Sequence, residues 1–245
     1  MTFLEYLFLI GMPLAGGVLA LTFRNLSTAS LKLLMSFSGA YLIGITFLSL
    51  IPELYHQYSL RIGALILGGF VLQILLDQLS KGLEHGHIHA DEPISRWYVW
   101  SLMFGLGVHS FLEGIPLSGW EHIAVGSDHS HTPLLFGIAV HKVPAAFALG
   151  TVLIFSGAGA VRVMMFVVIY ALFSPLGALL TEVFYDANWL SVATSMNMIM
   201  AVVIGSFLHI STTILFEAGS KAHTFNVFRL FAILAGAAMA VLTVA

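Results

Sequence analysis

The stretch "WYVWSLMFGLGVHSFLEGIPLSGW" (residues 97–120) is long and apolar enough to cross a membrane, yet it carries a histidine and a glutamate near its middle. About 20 consecutive, mainly apolar residues span the hydrocarbon core of a bilayer. His109 and Glu113 are four residues apart, so on a helix they lie one above the other on the same face. Because both side chains are costly in hydrocarbon, they are candidate functional residues.

The composition of the whole chain agrees with a membrane protein. Of its 245 residues, 59% are hydrophobic and 9% are charged, whereas a soluble domain carries about 25% charged residues. A formal net charge of −3 provides no basic surface for nucleic acid. The chain has no cysteine, so a metal site would use histidine, carboxylate or other nitrogen and oxygen ligands.

Eight apolar runs are long enough to cross a bilayer. We therefore predict an all-α polytopic membrane protein with a single transmembrane domain over residues 1–245. The predicted spans are Leu4–Phe23, Leu33–Ile51, Ile62–Leu79, Trp97–Leu117, Leu134–Phe155, Val163–Val183, Leu190–Phe216 and Phe225–Val244. Span 2 contains "GITFLSLIPE" (44–53) and span 7 contains "GSFLHISTTILFE" (205–217), a weak similarity that favours inverted three-span repeats around spans 4 and 5.

The basic residues predict that both termini lie outside the cytoplasm. Cytoplasmic loops carry the excess of Lys and Arg. With the N-terminus outside, seven cations fall on the inner side: Arg24, Lys32, Lys81, Arg96, Arg162, Lys221 and Arg229. Arg61 falls outside, and Lys142 falls within span 5. The short loops favour a compact protein of the cell (inner) membrane.

Span 5 supplies a second polar group in "HKVPAAFALG" (141–150). Two histidines and a carboxylate, His109, Glu113 and His141, can bind one divalent ion. Lys142 could place its ammonium where a second cation would otherwise lie. Alternatively, these polar groups form hydrogen bonds that only hold the helices together.

Other polar residues are secondary candidates. His209 lies deep in span 7, and Asp77 with Gln73 and Gln78 could line an inner vestibule. Two histidine-bearing loops suggest loose metal binding. The inner loop carries His85, His87 and His89, and the outer loop carries His122, Asp128, His129 and His131.

On these residues the chain resembles the Zrt/Irt-like (ZIP) divalent-metal transporters along nearly its whole length. The resemblance rests on eight spans, a histidine-bearing loop between spans 3 and 4, "HSFLEGIPLSG" on span 4 and "HKVPAAFALG" on span 5. "LIPE" (50–53) and "SPLGALL" (174–180) also look like family patterns.

The resemblance implies a 3+2+3 arrangement, transport of metal into the cytoplasm by alternating access, and a homodimer. His109, Glu113 and His141 fall on the family's ligand positions. Ser110 falls on a position that is often Asn, and Ser174 on one that is a Glu ligand in some members.

Two departures from the family pattern favour a single metal at the core. Many members carry an acid four residues after the span-5 histidine, where this chain has Ala145. The residue next to that histidine can be an acidic ligand for a second metal, and here it is Lys142. A fourth ligand would be water or a residue of span 2, 6 or 7, with His209 as a candidate. Zinc is the expected cargo, with iron, manganese, cobalt, nickel and cadmium as alternatives, and no cofactor is expected.

Two other functions remain open. An intramembrane zinc-dependent hydrolase would also use three protein ligands and a water, but the chain has no H-E-x-x-H motif and no second acid near the site on span 4 or 5. A non-transporting ZIP-like metal sensor would account for Ala145. We expect a transporter that is not an enzyme.

Overall fold

The computed structural model describes residues 1–23, 28–55, 59–80, 96–123, 131–186, 192–217 and 227–244, and every regular element within these ranges is helical. The helices are α1 (Phe3–Thr22), α2 (Thr28–Ile45), α3 (Ile51–Tyr55), α4 (Leu60–Ser80), α5 (Arg96–Ile123), α6 (Thr132–Phe155), α7 (Ala160–Asp186), α8 (Val192–Glu217) and α9 (Val227–Val244). A π-helical turn, Thr46–Leu50, joins α2 to α3. The run from α2 to α3 is span 2, and each remaining helix corresponds to one predicted span.

The prediction of an all-α, multi-pass membrane protein is confirmed. Within the described ranges, seven helical segments are long and apolar enough to cross a membrane, and a further long helix is α5, with 28 residues. The helices extend beyond some predicted spans: α2 begins at Thr28 and not at Leu33, and α5 ends at Ile123 and not at Leu117. Hydropathy marks the part of a helix that suits lipid, whereas backbone hydrogen bonding continues into its polar ends.

The helices pack as two groups of four spans. One group contains α1, α5, α6 and α7, and the other contains α4, α8, α9 and the run from α2 to α3. In a 3+2+3 repeat, spans 1, 2 and 3 correspond to spans 6, 7 and 8, and span 4 corresponds to span 5. Under this correspondence the α4–α8 contact matches the α9–α2 contact, and the α1–α6 contact matches the α7–α5 contact. Inverted repeats produce this exchange pattern.

Small residues let α5 and α7 approach closely beside the polar residues of span 4. A Cβ atom at Gly114 would collide with the carbonyl oxygen of Ser174, and one at Gly177 would collide with the carbonyl oxygen of Phe111. Close backbone contact through small residues is a common way to pack membrane helices. As a result, Ser174 of α7 lies next to Ser110 of α5, with 3.1 Å between their Oγ atoms.

Both ends of the described chain lie at the same end of the bundle. His131 Nε2 lies 2.9 Å from Glu5 Oε1, which places the start of α6 beside the start of α1. The Tyr41 hydroxyl donates to the Pro133 carbonyl at 3.0 Å and lies 2.9 Å from Thr243 Oγ1. The end of α9 therefore also lies beside the start of α6, as an even number of crossings requires.

Candidate metal centre

Helix α5 places His109 and Glu113 on one buried face, as their spacing predicts. His109 Nε2 lies 3.0 Å from Glu113 Oε1. Each residue is 1% exposed, so water has almost no access to either side chain. Pro116 lies inside the same helix and cannot donate a backbone hydrogen bond to the carbonyl of Leu112. The Leu112 carbonyl therefore lacks its usual helical hydrogen bond, close to this polar face.

Helix α6 brings His141 to the same place. The rings of His109 and His141 are 6.4 Å apart between centroids, in an edge-on arrangement. One potential ligand atom from each of His109, Glu113 and His141 lies within 4.8 Å of the other two. The described residues contain one group of three or more His, Asp or Glu side chains at such separations. Two imidazoles and a carboxylate form a donor set suited to a divalent transition metal.

The ammonium of Lys142 lies on the other side of the Glu113 carboxylate. Lys142 Nζ is 2.8 Å from Glu113 Oε2 and donates to Ser110 Oγ at 2.5 Å. It also lies 5.1 Å from the centre of the Tyr170 ring, a separation that allows a cation–π attraction. Lys142 is fully buried, and a buried charge requires close partners. Glu113 and Ser110 are those partners.

Ser174 completes the polar contacts around the lysine. Its hydroxyl donates to the Ser110 carbonyl at 2.6 Å, and both serines are fully buried. The resemblance makes Ser110 and Ser174 possible lining or second-site positions. In the structure, the close packing of α5 on α7 brings the two serines into contact with each other.

His209 is not one of the three residues whose ligand atoms converge. Its Nε2 is 3.8 Å from Asp77 Oδ2, and its ring packs edge-on against Phe70 at 5.1 Å between centroids. Both of these contacts join His209 to α4, which carries Asp77 and Phe70.

The sequence did not single out Ser206, which contacts the site. Ser206 Oγ lies 3.4 Å from His109 Nδ1 and donates to Gln73 Oε1 at 2.8 Å. Ser206 precedes His209 by three residues on α8, so it shares a helix face with His209, which the sequence marks as a candidate ligand. Its contact with α5 could not be read from that spacing.

The structure describes the side chain of one of the loop histidines. His131 immediately precedes α6, is half-buried and contacts Glu5, away from the three-residue group. The backbone of His122 lies in the last turn of α5, and its side chain is outside the described part of the chain. The other predicted loop ligands, His85, His87, His89, Asp128 and His129, also lie outside the described residues.

Comparison with known proteins identifies the relatives of this chain. Residues 84–243 match the family model described as "ZIP Zinc transporter". The chain is 28% identical over 186 residues to zinc transporter ZIP9 of Micropogonias undulatus, covering 69% of this chain and 56% of the relative. It is 30% identical over 179 residues to zinc transporter ZIP9-B of Xenopus laevis, covering 69% of this chain and 55% of the relative. The chain thus spans about half the length of the curated relatives it matches. Because the family model covers more than half of the chain, this protein belongs to the ZIP zinc transporter family.

Proposed function

We propose that this protein carries divalent transition-metal ions across a membrane, with zinc as the principal cargo, and that His109, Glu113 and His141 bind the ion on its way. The observation that carries this proposal is the convergence of their three ligand atoms within 4.8 Å. All three side chains are about 1% exposed in the interior of the bundle. Membership of the ZIP family supports the class of cargo.

The donor set suits an ion that must be released again. Three protein ligands leave at least one position open to water or to an incoming ligand, because zinc usually has four ligands. Glu113 supplies the one negative charge of the set. A site with an open position and a single anionic ligand binds the ion less tightly than a closed structural site with four protein ligands would.

Lys142 takes the place of a second metal ion in this proposal. Its ammonium contacts the Glu113 oxygen that lies away from His109, at 2.8 Å. Ala145, four residues beyond His141, provides no further anionic ligand. The core is therefore mononuclear, and Lys142 competes with the cargo for the negative charge of Glu113.

The proposed direction of transport is into the cytoplasm, by alternating access. The predicted outer side has one loop cation, Arg61, and the predicted inner side has seven, which supports termini outside a cell (inner) membrane. All three proposed ligands lie on α5 and α6, within one of the two helical groups. Movement of that group against the other would carry the complete ligand set with it. We further propose that residues 1–245 form a single transmembrane domain that assembles as a homodimer.

Zinc flux into proteoliposomes tests the proposed function. The purified full chain is reconstituted in vesicles with a fluorescent zinc indicator inside, and protein-free vesicles serve as the control. We expect zinc to enter only the protein-containing vesicles and to be slowed by competing transition metals. Specific zinc binding without flux would support the metal sensor, and hydrolysis of added peptide or lipid without flux would support the hydrolase. Either result would contradict transport.

A further inference from the structure

The two ring nitrogens of His109 have different partners. Nε2 lies 3.0 Å from Glu113 Oε1, inside the proposed metal site. Nδ1 lies 3.4 Å from Ser206 Oγ, on α8. Ser206 is 4% exposed and His109 is 1% exposed, so bulk water competes little for this contact. The ring is thus held between a proposed metal ligand and a serine of the other helical group.

The direction of the hydrogen bonds around Ser206 determines which form of His109 fits. The Ser206 hydroxyl donates its only proton to Gln73 Oε1 at 2.8 Å. Having donated that proton, Ser206 Oγ can interact with His109 Nδ1 only as an acceptor. Nδ1 must then carry a hydrogen, and in the neutral ring that binds zinc the lone pair is on Nε2, with the ion between Nε2 and Glu113. This is the tautomer that can bind a metal ion beside Glu113.

We infer that Ser206 and Gln73 are positioning residues for the transported ion: they hold the His109 ring with Nδ1 protonated and Nε2 directed at the ion. This inference rests on the proposed function. A histidine that binds metal usually donates its other N–H to an oxygen acceptor, which fixes the ring orientation and strengthens the ligand. Ser206 supplies that acceptor, and Gln73 keeps it in the accepting form.

The contact crosses between the two helical groups. His109 lies on α5 in one group, whereas Ser206 on α8 and Gln73 on α4 lie in the other. Glu113 and His141 share a group with His109, so displacement of one group against the other would break the Ser206 contact and leave the ligand set together. The affinity for the ion is therefore highest in the arrangement seen here and falls when the groups move apart. Such a change couples conformational change to ion release.

Zinc titration calorimetry on the purified full chain tests the inference without relying on flux. Loss of an outer hydrogen-bonding partner typically weakens metal affinity by about 10- to 100-fold, so we expect at least a tenfold loss in Ser206→Ala. Ser206→Thr keeps the hydroxyl and should restore most of the affinity. Ser211→Ala removes an equally buried hydroxyl from the same helix and should bind zinc as the unmodified chain does.

A double-mutant cycle tests whether Gln73 acts on His109 through Ser206. In Gln73→Leu the Ser206 hydroxyl keeps its proton and can donate to Nδ1, which favours the tautomer whose Nε2 is blocked by hydrogen. Zinc affinity should therefore fall in Gln73→Leu. In a chain that already carries Ser206→Ala, Gln73→Leu should cause no further loss, because both residues act through the same contact. Additive losses would show that Gln73 acts independently and would contradict the inference.

The outcomes separate this inference from the proposed function. If Ser206→Ala binds zinc like the unmodified chain while Glu113→Gln does not bind, the positioning role is wrong and the metal site stands. If Glu113→Gln binds as tightly as the unmodified chain, the site itself is wrong. A nitrogen-15 histidine spectrum of the zinc-loaded chain, assigned with His109→Gln, should show Nδ1 of His109 protonated. A zinc-bound Nδ1 would also overturn the inference.

Discussion

The Lys142 ammonium lies 2.8 Å from Glu113 Oε2, and both side chains are at most 2% exposed. A positive charge that belongs to the protein therefore lies next to Glu113, the only anionic group among the three proposed ligands. A divalent ion that enters between His109 and His141 must share the Glu113 carboxylate with that ammonium. The affinity of the site thus depends on a competitor that is part of the chain.

Lys142→Met should tighten zinc binding. Removing one partner of a buried ion pair typically costs about 3–5 kcal/mol, because the other charge is left uncompensated. In the metal-free variant, the buried Glu113 carboxylate lacks its lysine partner. A bound zinc ion would supply a positive charge in place of the lysine. We expect at least a tenfold lower Kd for zinc by calorimetry and a lower Tm for the metal-free protein. Lys32→Met removes an exposed cation and should change neither value. An unchanged or higher Kd in Lys142→Met would contradict competition for Glu113.

Lys142→Glu should convert the core to a two-metal site. The substitution replaces an ammonium with a carboxylate next to Glu113, and two adjacent carboxylates favour a second divalent cation between them. Zinc content per chain, measured after gel filtration, should rise by one ion relative to the unmodified protein. The same measurement on Lys142→Gln provides the control for loss of charge alone. An unchanged zinc content in Lys142→Glu would argue that Lys142 does not stand where a second metal would bind.

Gly177→Ala should disrupt the packing of α5 on α7. The added Cβ would collide with the Phe111 carbonyl oxygen, a backbone atom that cannot move away alone. Overpacking of this kind typically costs about 1–3 kcal/mol, so we expect a lower Tm in detergent. Gly68→Ala is the matched control, because nothing lies within 4 Å of its added Cβ. Equal Tm values for the two variants would show that the close approach is not required.

Glu113→Ala and His141→Ala should each abolish zinc uptake into proteoliposomes while the proteins still insert and purify normally. Each change removes one of three protein ligands, and the remaining two cannot hold the ion in the buried site. His131→Ala is the matched control, because the half-buried His131–Glu5 contact is expected to contribute about 1 kcal/mol or less. Persistent uptake in both core variants would contradict the assignment of the ligands.

The positions of the core residues were predictable because they follow from local geometry. A spacing of four residues places His109 and Glu113 on one helix face whatever the rest of the fold does. The polar residues of span 5 had to find partners inside the bundle, because unpaired charges in hydrocarbon are too costly. These two constraints favour the convergence of His141 with His109 and Glu113, whereas the contact of Lys142 with Glu113 was found only in the structure.

Other features depend on how the helices are rotated against one another, which helix periodicity does not determine. Ser206 reads as an ordinary serine in an apolar span, and its contact with His109 exists only because α8 faces α5 across the two groups. For the same reason, the depth of His209 in span 7 did not reveal that its ring faces Asp77. The π-helical turn Thr46–Leu50 had no periodic signal. It precedes Pro52, which cannot donate to the carbonyl of Leu48 and so favours a local change in the helix.

The central claim is that a single ion binds among His109, Glu113 and His141, and anomalous diffraction tests it most directly. Crystals of the zinc-loaded full chain are measured on both sides of the zinc absorption edge. We predict one core peak per chain, within about 2.0–2.2 Å of a nitrogen of each histidine and of a Glu113 oxygen. A strongest peak beside Asp77 and His209, with none among the three proposed ligands, would contradict the claim.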